Sequence, residues 1–227
     1  MSEPRLSADR RLVSALLVTV CRFLTGIRSR WQSEPEPEKI RIYYANHSSH
    51  LDGLVIWSSL PPQMRTQVHP VAAADYWLGS RLKRYLALRI FGAVLVERRP
   101  TGEHEAEPAE KQIANGAVVN KDVLLPLKQA LDNQHSLILF PEGTRGSGEQ
   151  LNPFKSGLYH LSKAYPQVEL VPVWLDNLNR VLPKGSRLVV PIICSATFGT
   201  PQPGVAEGED KQAFLARTKA ALEAIAP

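Results

Sequence analysis

The chain has 227 residues, 44% hydrophobic and 22% charged, which suits one globular domain with a full core and excludes a disordered or fibrous polymer. Its two cysteines, Cys21 and Cys194, lie far apart without metal-site spacing, so neither a disulfide framework nor a cysteine zinc site is expected, and a reducing compartment is. Net charge is +5, and residues 1–30 hold most of it: Arg5, Arg10, Arg11, Arg22, Arg28 and Arg30 stand against Glu3 and Asp9. So local an excess points to an anionic membrane surface touched by the N-terminus, and no nucleic-acid partner is expected.

Leu12 to Cys21 is uncharged and mostly apolar, but ten residues are too few to span a bilayer. At 100° per residue, Val13, Leu16, Leu17, Val20, Leu24 and Ile27 form one stripe, nearly opposite Arg11 and Arg22. An amphipathic helix with basic flanks suits a membrane interface, and it equally suits packing on the protein's own core. The run ends in arginines, unlike a cleaved signal peptide. Ser33 to Lys39, with its Glu-Pro-Glu-Pro-Glu, reads as a polar linker between an N-terminal unit, residues 1–32, and a main domain, residues 39–227.

Beyond it, strand and helix signals alternate. Lys39–Ala45, Gln67–Ala74, Ala93–Val96, Ser136–Phe140, Glu169–Leu175 and Arg187–Phe198 read as strands. Leu54–Leu60, Tyr76–Ile90, Val123–Asp132, Phe154–Tyr165 and Asp210–Ile225 read as helices, with Pro126 tolerable near a first turn. Thr101–Asn120 has no apolar period, and Thr101–Glu110 holds four acids and no Lys or Arg, so a surface loop is expected. The alternation predicts an α/β domain with a largely parallel sheet, and an amphipathic helix at its N-terminus.

Between the first of these strands and the helix after it stands Asn46-His47-Ser48-Ser49-His50-Leu51-Asp52. With a helix starting near Ser49, the Asp52 carboxylate reaches one imidazole nitrogen of His47 and leaves the other free to take a proton. His47 reads equally as a helix cap, and Asp52 as a charge favoured by the helix dipole. His47, His50 and Asp52 lack a further cluster to complete a metal site, so no metal or other cofactor is expected. Arg98, with Arg99 equally placed beside it, and Arg145 each follow a strand end, where α/β proteins place ligand-binding groups, and two guanidiniums could clamp a phosphate. The alternative is surface pairing with Glu97 and Glu142. No G-x-S-x-G elbow, P-loop or G-x-G-x-x-G fingerprint is present.

His47-x4-Asp52 resembles the first motif of the glycerolipid acyltransferases, the 1-acyl-glycerol-3-phosphate acyltransferase type. Gly92-Ala93-Val94-Leu95-Val96-Glu97-Arg98, Phe140-Pro141-Glu142-Gly143-Thr144-Arg145 and Val171-Pro172-Val173 resemble its second, third and fourth, in order. Gly146 stands where the family commonly has serine, which removes a hydroxyl. The resemblance implies a mixed, mostly parallel sheet flanked by helices, and acyl transfer from acyl-CoA or acyl carrier protein to a lysophosphatidate-like acceptor. His47 and Asp52 would be catalytic, and Arg98, Glu142, Gly143, Thr144, Arg145 and Lys155 would bind substrate. It implies a peripheral or monotopic protein on the cytoplasmic face of a membrane. Other lysolipid acceptors, thioester hydrolysis, and a non-catalytic membrane-binding role are the alternatives.

Overall fold

Every residue of strand β2, Arg41–Ala45, is buried, because it lies inside a sheet covered on both faces. The computed structural model describes residues 7–97, 111–114, 117–120, 122–148, 150–181 and 193–227. The other strands are β1 (Arg28–Trp31), β3 (Val68–Ala73), β4 (Val94–Val96), β5 (Lys111–Ala114), β6 (Ala117–Asn120), β7 (Ser136–Leu139), β8 (Glu169–Asp176) and β9 (Ser195–Phe198). Seven form one sheet in the order β1-β9-β8-β2-β7-β3-β4. From β8 to β4 all neighbours are parallel, while β9 runs antiparallel to β8. The C-terminal ends of five strands therefore share one edge.

Side-chain alternation along β2 decides which core each residue joins. Tyr43 and Ala45 pack with Val18 and Cys21 of helix α1 (Ala8–Thr25) and Val55 and Ile56 of α2 (Asp52–Ser59). Ile42 and Tyr44 pack on the opposite face with α5 (Leu125–Asp132), α6 (Gly157–Ala164) and α8 (Lys211–Glu223). Pro126 sits in the first turn of α5, where its missing N–H costs no helical bond. A last short helix, α7 (Leu178–Val181), follows β8.

Several elements differ from expectation. Tyr76–Ile90 is not one helix: α3 (Ala74–Trp77) ends before Gly79, Ser80 caps α4 (Arg81–Tyr85), and a π-helical turn follows over Leu86–Ile90. Lys111–Ala114 and Ala117–Asn120 form an antiparallel pair instead of loop. Arg28–Trp31 is an edge strand of the sheet, with Trp31 stacked on Phe198 at 3.8 Å, so part of the N-terminal unit completes the main fold. The linker is folded too, since Glu36 takes a 2.6 Å bond from Arg41, which also bonds Glu169.

Helix α1 divides its apolar residues between two faces. Val18, Cys21 and Thr25 are buried, with Val13 and Leu17 half-buried beside them. Phe23 is 87% exposed, Leu12 73% and Leu16 60%. Asp9 ties α1 to the π-helical turn through Arg89, at 2.9 Å. No helix among the described residues is long and apolar enough to cross a membrane.

Gly92 packs directly under the buried ring of His69: a Cβ there would stand 2.4 Å from Nδ1, and φ is +59°. Burial, with His135 beside the ring, pushes the His69 imidazole down to about 4. The unfolded chain binds that proton near pH 6.5 and the folded chain does not. Stability is therefore full above about pH 6.5 and falls as pH drops toward 4, by about 3 kcal/mol in all. Urea midpoints across that window should show this decline, and a His69→Leu variant should flatten it. An unchanged slope in the variant would assign the acid sensitivity to other groups.

Candidate active site

Strand β2 ends at Ala45, and Asn46 fastens the loop beyond it to the neighbouring strand. Its side chain bonds both the N–H and the C=O of Leu175 on β8, at 2.7 and 2.8 Å. His47 then stands just past the sheet edge. Its Nδ1 lies 2.8 Å from Asp52 Oδ2, the oxygen that also accepts the N–H groups of Ser48 and Ser49, at 2.7 and 2.8 Å. An ionised carboxylate can only accept, so His47 donates from Nδ1, and Nε2 is left with its lone pair for a substrate proton. The ring stacks on Phe140, centroids 4.2 Å apart, which holds its plane. Asp52 is fully buried and begins α2, three residues later than the expected helix start.

Glu142, expected among the substrate-binding residues, ties two loops of the site together. It is buried, and its two oxygens accept from His47 N at 2.8 Å and Asn152 N at 2.9 Å. The N–H of Gly146 returns a 2.8 Å bond to the His47 carbonyl. The loop after β7 thereby grips the loop after β2 from two sides. Gly143 turns that loop at φ +72°, and its absent Cβ leaves room for the Lys155 stem, 3.3 Å away. Gly143 and Thr144 are exposed or partly so, as is Lys155. Arg145 is half-buried and has no ion-pair partner among the described residues. Arg98 lies outside the described residues; β4 carries the chain to the shared edge at Glu97.

Two apolar cavities reach His47. One, of about 490 Å³, lies among α1, α2 and the π-helical turn, lined by Leu17, Leu54, Trp77, Leu86 and Phe91, with His50 and Arg145 also on its wall. The other, of about 230 Å³, lies against α5 and α6, lined by Leu124, Leu127, Leu158 and Leu161, with Lys155 and Gly143 also on its wall. His50, read as a bystander of the motif, lines the larger cavity and stacks on Tyr76 at 5.3 Å, and Lys83 Nζ stands 3.7 Å from that ring. Burial first, then Arg145, His47 and Lys83, push the His50 imidazole below its ordinary value. Sequence reasoning missed Asn46, Phe140 and Tyr76 as parts of the site. Phe140 had a signal, since it directly precedes the Pro141–Arg145 block; Tyr76 had none.

A buried carboxylate holding an imidazole, a half-buried guanidinium and two apolar cavities thus meet at one sheet edge, an arrangement found where proteins handle a polar group beside a hydrocarbon chain. A family model described as Acyltransferase matches residues 29–176, and the chain belongs to that family. It is 27% identical over 200 residues to 1-acyl-sn-glycerol-3-phosphate acyltransferase alpha of Homo sapiens, covering 87% of this chain and 62% of that protein. The corresponding protein of Mus musculus is 27% identical over 184 residues, covering 80% and 56%. A 1-acyl-sn-glycerol-3-phosphate acyltransferase of Limnanthes alba is 24% identical over 180 residues, covering 79% and 56%. The chain thus spans about three-fifths of the length of these curated relatives. The crystal structure of the 1-acyl-sn-glycerophosphate (LPA) acyltransferase, PlsC, from Thermotoga maritima shares the fold, with a TM-score of 0.61 at 18% identity, covering 97% of this chain and 84% of that one.

Proposed function

We propose that this protein transfers a fatty acyl group from a thioester, acyl-CoA or acyl carrier protein, to the hydroxyl of a lysophosphatidate-like acceptor at a membrane surface. The observation that carries the reading is the His47–Asp52 pair, 2.8 Å apart, at the mouth of apolar cavities with Arg145 on the same wall. His47 Nε2 takes the acceptor's hydroxyl proton as the oxygen attacks the thioester carbonyl. The tetrahedral intermediate collapses, the C–S bond breaks, and the imidazolium returns its proton to the departing thiolate. No protein nucleophile is needed, and Asp52 stabilises the imidazolium. The N–H groups of Ser48, Ser49 and Leu51 are already bonded, so the oxyanion takes its donors elsewhere.

Arg145 is assigned to the acceptor phosphate, with Arg98 and Lys155 adding charge, while Gly143 and Thr144 let the backbone approach. A lysine at 145 keeps the charge and loses the planar fork. Arg145→Lys should lower kcat/KM with 1-acyl-glycerol 3-phosphate by about 1.5–3 kcal/mol, and barely alter thioester hydrolysis without acceptor. Equal losses in both reactions would attach Arg145 to the donor or the fold. A panel of lysolipids, each assayed with both donors, separates the acceptor alternatives.

The membrane contact is assigned to the outer face of α1, residues Leu12, Leu16 and Phe23, together with Leu82, which is 67% exposed on α4. Residues 1–32 cannot be deleted as a clean test, because Val18 and Cys21 belong to the core. Leu16→Ser with Phe23→Ser removes only exposed surface. That variant should sediment less with vesicles containing anionic lipid, and salt should weaken wild-type binding by screening the flanking arginines. Equal sedimentation of the two proteins would end this assignment.

A further inference from the structure

The two cavities that meet at His47 lie on opposite faces of the sheet, and the sheet itself opens where they meet. Strands β3 and β7 pair through Val68–Pro70 and Ser136–Ile138, and from Val71 onward β3 pairs with β4 alone. Pro70, with no N–H to donate, sits at the point of parting. Val71, Ala72, Ala73 and Phe140 consequently line both cavities, as His47 does.

The smaller cavity has a wall of hydrocarbon: Val71, Val96, Leu127, Leu139, Leu158 and Leu161, with Lys155 the one charged side chain among its described lining residues and the His47 imidazole also on the wall. A pantetheine arm there would leave its amides without partners, at a cost of roughly 1–3 kcal/mol each. An alkyl chain loses nothing. Two alkyl chambers at one base match a reaction in which two chains hang from neighbouring carbons. Resting on the functional reading above, we propose that the α5–α6 chamber receives the chain the acceptor already carries, while the donor's chain enters the α1–α2 chamber. The sizes decide the direction. A donor delivered from a soluble carrier must have its whole chain sheltered by protein, which calls for the 490 Å³ chamber. An acceptor needs shelter only for the part of its chain beside the glycerol, so 230 Å³ suffices.

Each chamber has one helical glycine in its wall that tolerates a side chain. A Cβ at Gly157 of α6 meets only Leu124 Cδ2, at 3.6 Å, and a Cβ at Gly53 of α2 meets nothing within 4 Å. Both are specificity positions, and they should act on different substrates. The experiment measures kcat/KM of the full chain for 1-acyl-glycerol 3-phosphates of increasing chain length, and separately for acyl donors of increasing length. Gly157→Leu should lose about tenfold or more for long-chain acceptors relative to the shortest, with the shape of the donor profile kept. Gly157→Ala should shift the same way by less, and thermal melts establish that both fold. Gly53→Leu should shift the donor profile and keep the acceptor profile. Exchanged effects, or profiles unmoved in folded variants, would overturn the assignment while leaving acyl transfer in place. Failure of the wild-type protein to acylate any chain-bearing acceptor would overturn the functional reading and this inference with it.

Discussion

His47→Ala is expected to fold and to lose about 10²–10⁴-fold in kcat, the contribution of a positioned general base. The fold should survive because the ring is half-buried and anchors little. Asp52 Oδ2 keeps the Ser48 and Ser49 N–H groups, and the backbone bonds of residue 47 to Glu142 and Gly146 do not involve its side chain. What is lost is the nitrogen facing the cavities and the stack on Phe140. Measuring kcat at saturating lysophosphatidate, alongside a thermal melt, separates chemistry from stability. Wild-type turnover in a folded variant would remove His47 from the mechanism.

Asp52→Asn should lower kcat by about 10–10²-fold, the size of one charge-assisted hydrogen bond, and the geometry explains the form the loss takes. The Ser48 and Ser49 N–H groups demand an acceptor where Oδ2 now sits. The amide oxygen must take that place, which still lets His47 donate from Nδ1 and keeps the catalytic tautomer. The charge that stabilises the imidazolium disappears. The amide NH2 then occupies the site of Oδ1, which is buried and has no hydrogen-bond partner among the described residues. An unpaired donor there costs about 1–3 kcal/mol, so the melting temperature should fall together with kcat. Unreduced kcat would mean that Asp52 only closes the turn.

Glu142 shows what a motif residue can do that its own neighbours in sequence do not reveal. A glutamate beside Gly143, Thr144 and Arg145 reads as part of a binding loop. Its partners, His47 N and Asn152 N, come from segments 95 and 10 residues away. Nothing local in Pro141–Arg145 distinguishes a carboxylate that faces substrate from one that ties two loops. The same holds for α1. Periodicity finds an apolar stripe, but whether Leu16 or Val18 turns inward depends on where β2 and α2 stand.

Features whose cause is short in range were legible in the chain alone. The His47–Asp52 spacing within a strand-to-helix turn is one, because a few residues of tight backbone leave the two side chains little choice but to meet. The buried run Arg41–Ala45 and the permitted position of Pro126 are others, set by pattern and by the first-turn geometry of a helix. The strand-and-helix alternation belongs with them, and with it the expectation of a largely parallel sheet. Whatever depends on elements distant in sequence came from tertiary packing. Packing inserted β7 between β2 and β3, brought Arg145 beside His47, made Arg28–Trp31 an edge strand, and parted β3 from β7 so that two cavities share one base. Those outcomes rest on which apolar faces find one another when the whole chain folds, and a side chain's own neighbours in sequence carry no record of that.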